Sequence, residues 1–414
     1  MKISIIIPTR ERAEYLYYSI QTALEIKDEN LEILVCNNAS QDNTEAVIKS
    51  FSDQRIIYVN TGARLSMREN FNRALIESSG DYVIFFGDDD GILPGQFKYL
   101  RQLLETHRPD GISWNRATYG WPVAGYGKKT GGIRFYRHSM HGTPYSYDPK
   151  ARNLDALMSC RLSYLTPVSP NIYHGCISKA YLDSLAPVKN IYFDSLIPDV
   201  NFEYRAILSG GNFLHADHAF SINGYSPASN GGAHKGFAEN DPKAKPAQQF
   251  EQENKNDPYL DILENARFVP LAFFATLETV RARIGYTVRV PDLAKWYQYV
   301  LSQAQHKSNI KDKVNSTLLE YADKSGTLSH FEFAQKNQIV PKRTLGERLT
   351  RLKAQLSSFR VSAKKDGENT ILSAVHVYDV ILGDQYGSVL EASNTKRAAW
   401  KGARRRSKAF SRQL

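Results

Sequence analysis

The feature that most constrains this chain is the strand–helix alternation of its first 115 residues, which closes on three consecutive aspartates, Asp88-Asp89-Asp90. Ile3 to Ile7 is an isoleucine-rich run, the pattern of a strand buried on both faces of a parallel sheet. Leu16, Ile20 and Leu24 then recur at helical spacing. Leu31 to Cys36, Ile56 to Val59, Tyr82 to Phe86 and Gly111 to Trp114 read as further strands. Asp42 with Glu45, and Ser66 with Glu69, have capping-box spacing and predict helix starts between them. Strands joined by helices of this length require crossover connections and a parallel sheet. Ligands bind such sheets at the carboxyl ends of the strands. The polar residues predicted to converge there are Pro8, Thr9, Arg10, Asn37, Asn38, Asn60 and the aspartates. The architecture is that of a nucleotide-binding α/β domain.

A chain of 414 residues with 42% hydrophobic content can fill two domains. No stretch approaches the roughly 18–20 apolar residues of a membrane span, and the N-terminus reads as a first strand, not a signal peptide. Cys36, Cys160 and Cys176 lie far apart, which argues against a zinc ribbon or a disulfide framework. The expected location is cytoplasmic. Much of the net charge of +10 lies in Lys396 to Leu414, where eight Lys or Arg residues meet no acidic one.

Residues 117–150 are rich in Gly and Tyr without periodicity and predict a mobile loop over the site. Leu154 to Gly224 is mixed α/β, 225–258 is a polar boundary segment, and the chain beyond Tyr259 reads as mainly helical. The expected domains are 1–250 (a nucleotide-binding half to about 115, then an acceptor-binding half), a helical domain at 251–395 and a basic tail at 396–414.

Three adjacent carboxylates at a strand end repel one another unless a hard divalent cation with oxygen ligands, Mg²⁺ or Mn²⁺, lies among them. With them stand Ile5-Ile6-Ile7-Pro8-Thr9-Arg10, then Ile33 to Asp42, Gly80-Asp81-Tyr82-Val83, and Pro94. Together these motifs resemble family 2 glycosyltransferases of the GT-A fold, over roughly residues 1–230. The resemblance implies a mostly parallel central sheet flanked by helices and an inverting transfer from a nucleoside-diphosphate sugar. It assigns Pro8, Thr9, Arg10, Asn37, Asn38, Arg64 and Asp88 to the nucleotide, and Asp89 and Asp90, with late His234, to the metal. Asn37 stands where the family usually has a base-reading aspartate, and Gly87 where the commoner motif has its first aspartate.

The family places its general base before a helix that carries an Arg further on. Pro198-Asp199-Val200-Asn201-Phe202-Glu203-Tyr204-Arg205 fits that pattern and nominates Asp199, with Asp194 and Glu203 as rivals. The resemblance puts His174 and Gly175 at the acceptor pocket. Trp114, with Tyr119 and Trp121, is a candidate for stacking on a sugar, and core packing accounts for Trp114 equally well. The pairs His215/His218 and His138/His141 lack further ligands and read as solvated or core histidines.

The stripe Leu345, Leu349, Leu352, Leu356 and Phe359 with flanking Arg and Lys reads as a basic amphipathic helix, and the tail adds Trp400 and Phe410. Both suit a protein resting on the inner membrane face and acting on a glycan or lipid-linked acceptor in polysaccharide or lipopolysaccharide assembly. A packed helix with a solvated tail is the alternative, and no nucleic-acid module accompanies the charge. Walker A, GxGxxG and GxSxG signatures are absent. Two other functions fit less well: a nucleotidyltransferase, and a non-catalytic protein that keeps the fold.

Overall fold

The computed structural model describes residues 1–122, 130–162, 165, 168–226, 245–264, 268–338 and 345–412. The predicted alternation is present: β1 (Ile3–Thr9), α1 (Ala13–Leu24), β2 (Leu31–Asn37), α2 (Thr44–Lys49), β3 (Ile56–Asn60), α3 (Met67–Glu77), β4 (Tyr82–Phe85), β5 (Gly91–Ile92), α4 (Pro94–His107) and β6 (Gly111–Trp114). Alternation along β1 sorts its side chains to two faces. Ile5 and Ile7 pack with Leu16 and Ile20 of α1, whereas Ile6 packs with Phe71 and Leu75 of α3. Ser66 caps α3 in a full capping box with Glu69. The second predicted box does not form: Asp42 accepts from Thr44 N at 3.0 Å and from Ala13 N at 3.0 Å, tying α2 to α1.

Beyond β6 come β7 (Ala117–Gly120), β8 (Gly132–Tyr136), β9 (Tyr145–Tyr147), α5 (Pro149–Met158), β10 (Gly175–Ser178), α6 (Lys179–Leu185), α7 (Pro198–Ser209), β11 (Phe213–Ala216) and β12 (Ser221–Tyr225). The main sheet has the order β3-β2-β1-β4-β10-β6-β11-β9. Only β10 and β9 run against the rest, so the sheet is mostly parallel. Register aligns Thr9 with Asn37 and Asn37 with Asn60. Ile6 pairs with Phe85, so the turn after β4 brings Asp88 level with Thr9.

The stretch expected as a loop instead supplies β7, β8 and β9. Of these, β7 and β8 join a second sheet of order β13-β8-β7-β12-β5, whose edge strand β13 is Ser358–Ser362. The helical region follows as α8 (Lys245–Asn254), α9 (Val269–Arg283), α10 (Leu293–Ala304), α11 (Lys311–Lys324), α12 (Leu328–Lys336), α13 (Leu345–Leu356), α14 (Ile371–Leu382), α15 (Gln385–Leu390) and α16 (Lys396–Phe410).

Residues 251–395 do not form one body. Helices α9 to α12 share a core with Val200, Tyr204 and Ile207 of α7. After β13 the chain returns to the first half, where Ile371 and Val375 of α14 abut Gly91 and Asp379 accepts from Gly95 N at 2.8 Å. The expected tail is the helix α16, which buries Ala399, Trp400, Gly402 and Ala403. Arg406 donates to the carbonyls of Ile381 and Leu382 at 2.8 and 2.6 Å, closing the end of α14. No helix among the described residues is long and apolar enough to cross a membrane.

Candidate active site

β4 is buried throughout and delivers the three aspartates into the fold, where each is at most 4% exposed. Their surroundings differ. Asp88 accepts from the Thr9 hydroxyl at 2.7 Å and from Arg12 Nη1 at 2.9 Å. Burial works against the Arg12 guanidinium, but Asp88 and Asp89 outweigh it and hold its pKa above the ordinary value. Asp90 is anchored on all sides. Gly87 N and the Tyr173 hydroxyl reach Oδ2 at 2.6 and 2.8 Å, Gly224 N reaches Oδ1 at 2.7 Å, and His174 Nε2 lies 3.1 Å from Oδ2. Against the cost of burial, His174 and these donors keep the Asp90 carboxyl below its usual range.

Asp89 accepts from the Ser226 hydroxyl at 2.5 Å. Burial first, then the charges of Asp90 and Asp88, push its carboxyl well above the usual value. The charge of Arg12 and the Ser226 hydrogen bond oppose that rise. The Asp89 carbonyl receives Trp121 Nε1 at 3.0 Å, and a Cβ on Gly224 would stand 1.7 Å from it, so β12 can approach this closely only with glycine at 224.

Among the described residues, no group of three or more His, Cys, Asp or Glu side chains is arranged to hold a metal ion. Both oxygens of Asp90, which the resemblance assigns to the metal, accept hydrogen bonds within the protein. Predicted His234 lies outside the described residues. A Mg²⁺ or Mn²⁺ ion held through one carboxylate, with water and substrate phosphates as its other ligands, still fits Asp89.

The nucleotide residues predicted at the sheet edge are gathered there. Arg64 Nη1 donates to Asn38 O at 3.0 Å, and Arg64 also pairs with Glu11. Arg10 pairs with Glu253 of α8, a contact with no signal in the local sequence. Pro8 is half-buried beside them. Asn37 and Asn38 are committed to the loop. Asn37 Nδ2 donates to the Tyr58 hydroxyl at 3.2 Å and its Oδ1 accepts from Ser40 N at 3.0 Å. Asn38 holds Leu65 through both amide groups, at 2.8 and 2.9 Å.

The predicted acceptor residues are interior. Trp114 is 4% exposed, donates to the Ser221 hydroxyl at 2.9 Å and meets Phe220 edge-on. His174 is buried between Ser221 and Asp90. Gly175 is a packing glycine, since a Cβ there would stand 1.7 Å from Asn171 O. All three pack in the interior, next to Asp90 or the strands around it. The core reading of His215 and His218 agrees with their complete burial, as does that of His141, while His138 is exposed.

Of the candidate bases, Asp194 is fully buried and bound by Arg205 Nη2 at 2.5 Å and Asn201 Nδ2 at 2.8 Å. It thereby ties the segment before α7 to that helix. Asp199 lies in the first turn of α7 and Glu203 one turn on, so the two share a face. Burial raises Asp199 above the usual carboxyl value, offset in part by the backbone N–H groups of Val200 and Asp199. Burial pushes Glu203 up to about 7, opposed by a hydrogen bond from Ser169. Both feel the charge of Arg116, two residues beyond the end of β6. Because β6 is antiparallel to β10 and β10 to β4, β6 ends on the same edge as β4. Two strand spacings of ~4.8 Å put those ends roughly 10 Å apart.

Residues 4–159 match the family model described as Glycosyl transferase family 2. A GalNAc(5)-diNAcBac-PP-undecaprenol beta-1,3-glucosyltransferase of Campylobacter jejuni is 34% identical over 104 residues, which are 24% of this chain and 34% of that protein. The UDP-Glc:alpha-D-GlcNAc-diphosphoundecaprenol beta-1,3-glucosyltransferase WfaP of Escherichia coli is 31% identical over 106 residues, 26% of this chain and 42% of that protein. The matches thus span well under half the length of these relatives. The solved structure of S. aureus TarS with UDP-GlcNAc is a more distant likeness, with TM-score 0.44 and 16% identity over 85% of this chain and 92% of that one. The likeness to glycosyltransferase family 2 thus lies in residues 4–159 of this chain.

Proposed function

We propose that this chain is an inverting glycosyltransferase. It moves a sugar from a nucleoside-diphosphate sugar, a UDP-sugar first among the candidates, to a hydroxyl of a glycan or lipid-linked acceptor in polysaccharide or lipopolysaccharide assembly. The observation that carries this reading is the pair of carboxylate centres on one sheet edge. Asp88 and Asp89 follow β4, and Asp199 and Glu203 of α7 feel the charge of Arg116, which follows β6. The family match and the glycosyltransferase names of the relatives support the reaction class.

In this mechanism Pro8, Thr9, Arg10 and Arg64 border the nucleotide, and Arg12 holds Asp88 in place beneath it. Asp89 would hold Mg²⁺ or Mn²⁺, which when bound supplies positive charge to the leaving diphosphate. Asp199 takes the proton from the acceptor hydroxyl as it attacks the anomeric carbon opposite the leaving group. A carboxyl raised by burial is a stronger base than a solvated one, and it remains ionised above its own pKa. Glu203, on the same face, borders the acceptor.

Contact with an anionic membrane fits the exposed cations of α16, Arg397, Lys401, Arg404, Arg405 and Lys408, and the exposed Leu349, Leu352 and Leu356 of α13. The test is a transfer assay with UDP-glucose, UDP-GlcNAc, GDP-mannose and TDP-glucose and undecaprenyl-diphosphate-linked acceptors, in the presence of Mn²⁺. Turnover of one donor supports the reading. Nucleotide binding without turnover on any acceptor would favour a non-catalytic protein of this fold.

A further inference from the structure

The end of β2 offers no free acidic group to a nucleotide, because Asn37 is fully buried and its amide is bonded within the protein at both ends. A carboxylate reaches this edge from elsewhere. Glu253 on α8 pairs with Arg10 through Oε2, and its Oε1 lies 4.0 Å from Arg64 Nε. Its side chain is 10% exposed, so the carboxylate is nearly buried against these two arginines. The segment that carries it is fixed: Asp257 accepts from Arg68 Nε at 2.8 Å and from the Ser66 hydroxyl, and the Arg68 guanidinium lies 4.7 Å from the Tyr259 ring centre.

The strand order β3-β2-β1-β4 sets what this cluster can meet. Arg10 follows β1 and Arg64 leans on the residue after β2, whereas the aspartates follow β4. At ~4.8 Å per strand, the cluster lies roughly 5–10 Å along the edge from Asp89. Phosphates at the aspartates therefore leave the base over Arg10, Glu253 and Arg64. Along that cluster the protein presents donor, acceptor, donor. Uracil and thymine present the complement, an imide N–H between two carbonyl oxygens. Cytosine presents an acceptor nitrogen where the imide has its N–H, and so faces the carboxylate with a lone pair.

We propose that Glu253, flanked by Arg10 and Arg64, selects the base of the donor, and that the base it accepts carries an imide N–H between two carbonyls. This rests on the nucleotide-site reading above. The test is calorimetric titration of UDP and CDP into the full chain and into its Glu253→Gln and Glu253→Ala variants, with thermal midpoints recorded for each. Wild type is expected to prefer UDP by tenfold or more, the order of effect of one charged hydrogen bond made or lost. Glu253→Gln is expected to weaken UDP, improve CDP and bring the ratio near one, since its amide can donate to the cytosine nitrogen. An unchanged ratio in a folded Gln variant would overturn the proposal while leaving the nucleotide site standing. Tighter UDP binding in both variants would overturn it too, and would make Glu253 an occupant that nucleotide displaces. No binding of either nucleotide to wild type would overturn this proposal and the donor-site reading together.

Discussion

Replacing Glu203 by Gln should make the protein more stable at pH 8 and leave it nearly unchanged at pH 5. Burial pushes the Glu203 carboxyl up to about 7, against 4.5 for the free side chain. The folded state therefore binds the proton more tightly than the unfolded one. Between pH 4.5 and 7 stability falls as pH rises, and above 7 the whole penalty is present. That gap corresponds to roughly 3 kcal/mol, and the residue's remaining contact with water trims it toward ~2 kcal/mol. Gln keeps the shape and can still bond to Ser169, but it carries no charge to desolvate. The assay is guanidinium unfolding followed by circular dichroism at pH 5 and pH 8. A variant no more stable than wild type at pH 8, or less stable at both pH values, would refute the reasoning. A carboxylate held at such a cost above neutral pH suits a site where protons move.

Gly224→Ala would drive a methyl group into the Asp89 carbonyl, and should cost ~2 kcal/mol or more of stability, read as a lowered thermal midpoint. Asp89→Ala should remove the Mn²⁺ dependence of UDP binding, seen by calorimetry as equal affinities with and without metal. Reversing Arg404, Arg405 and Lys408 to Glu should abolish salt-sensitive binding to vesicles containing anionic lipid, at ~1 kcal/mol or more per residue, and leave UDP affinity unchanged.

The elements legible in the sequence are those whose signal is local. The Ile3 to Ile7 run and the Ser66–Glu69 box specify their own strand and helix within a few residues, and β1 and α3 form as expected. The strands β7, β8 and β9 were not legible. They are 4, 5 and 3 residues long, and β7 and β8 are held by β12 and β13, which lie far along the chain. The basic tail concealed a helix because α16 buries small residues, Ala399, Gly402 and Ala403, that leave little apolar stripe.

The candidate site divides in the same way. The strand pattern located the aspartates, since a buried strand must release its polar end at the sheet edge. It could not separate their roles. Asp90 differs from Asp89 through Tyr173, His174 and Gly224, partners 83 to 134 positions away. Trp114, His174 and Gly175 pack in the interior, a placement that residue type alone does not reveal. Glu253 was missed for a related reason: a lone glutamate in a polar helix carries no signal until two arginines meet it.

The central claim is that donor binding and proton abstraction belong to different carboxylates. The measurement that tests it most directly is UDP affinity and sugar transfer on one preparation of Asp199→Asn. Affinity is expected within about twofold of wild type, with turnover reduced on the order of 10²–10⁴-fold. Turnover retained at the wild-type level, or affinity and turnover lost together in a folded variant, would contradict it.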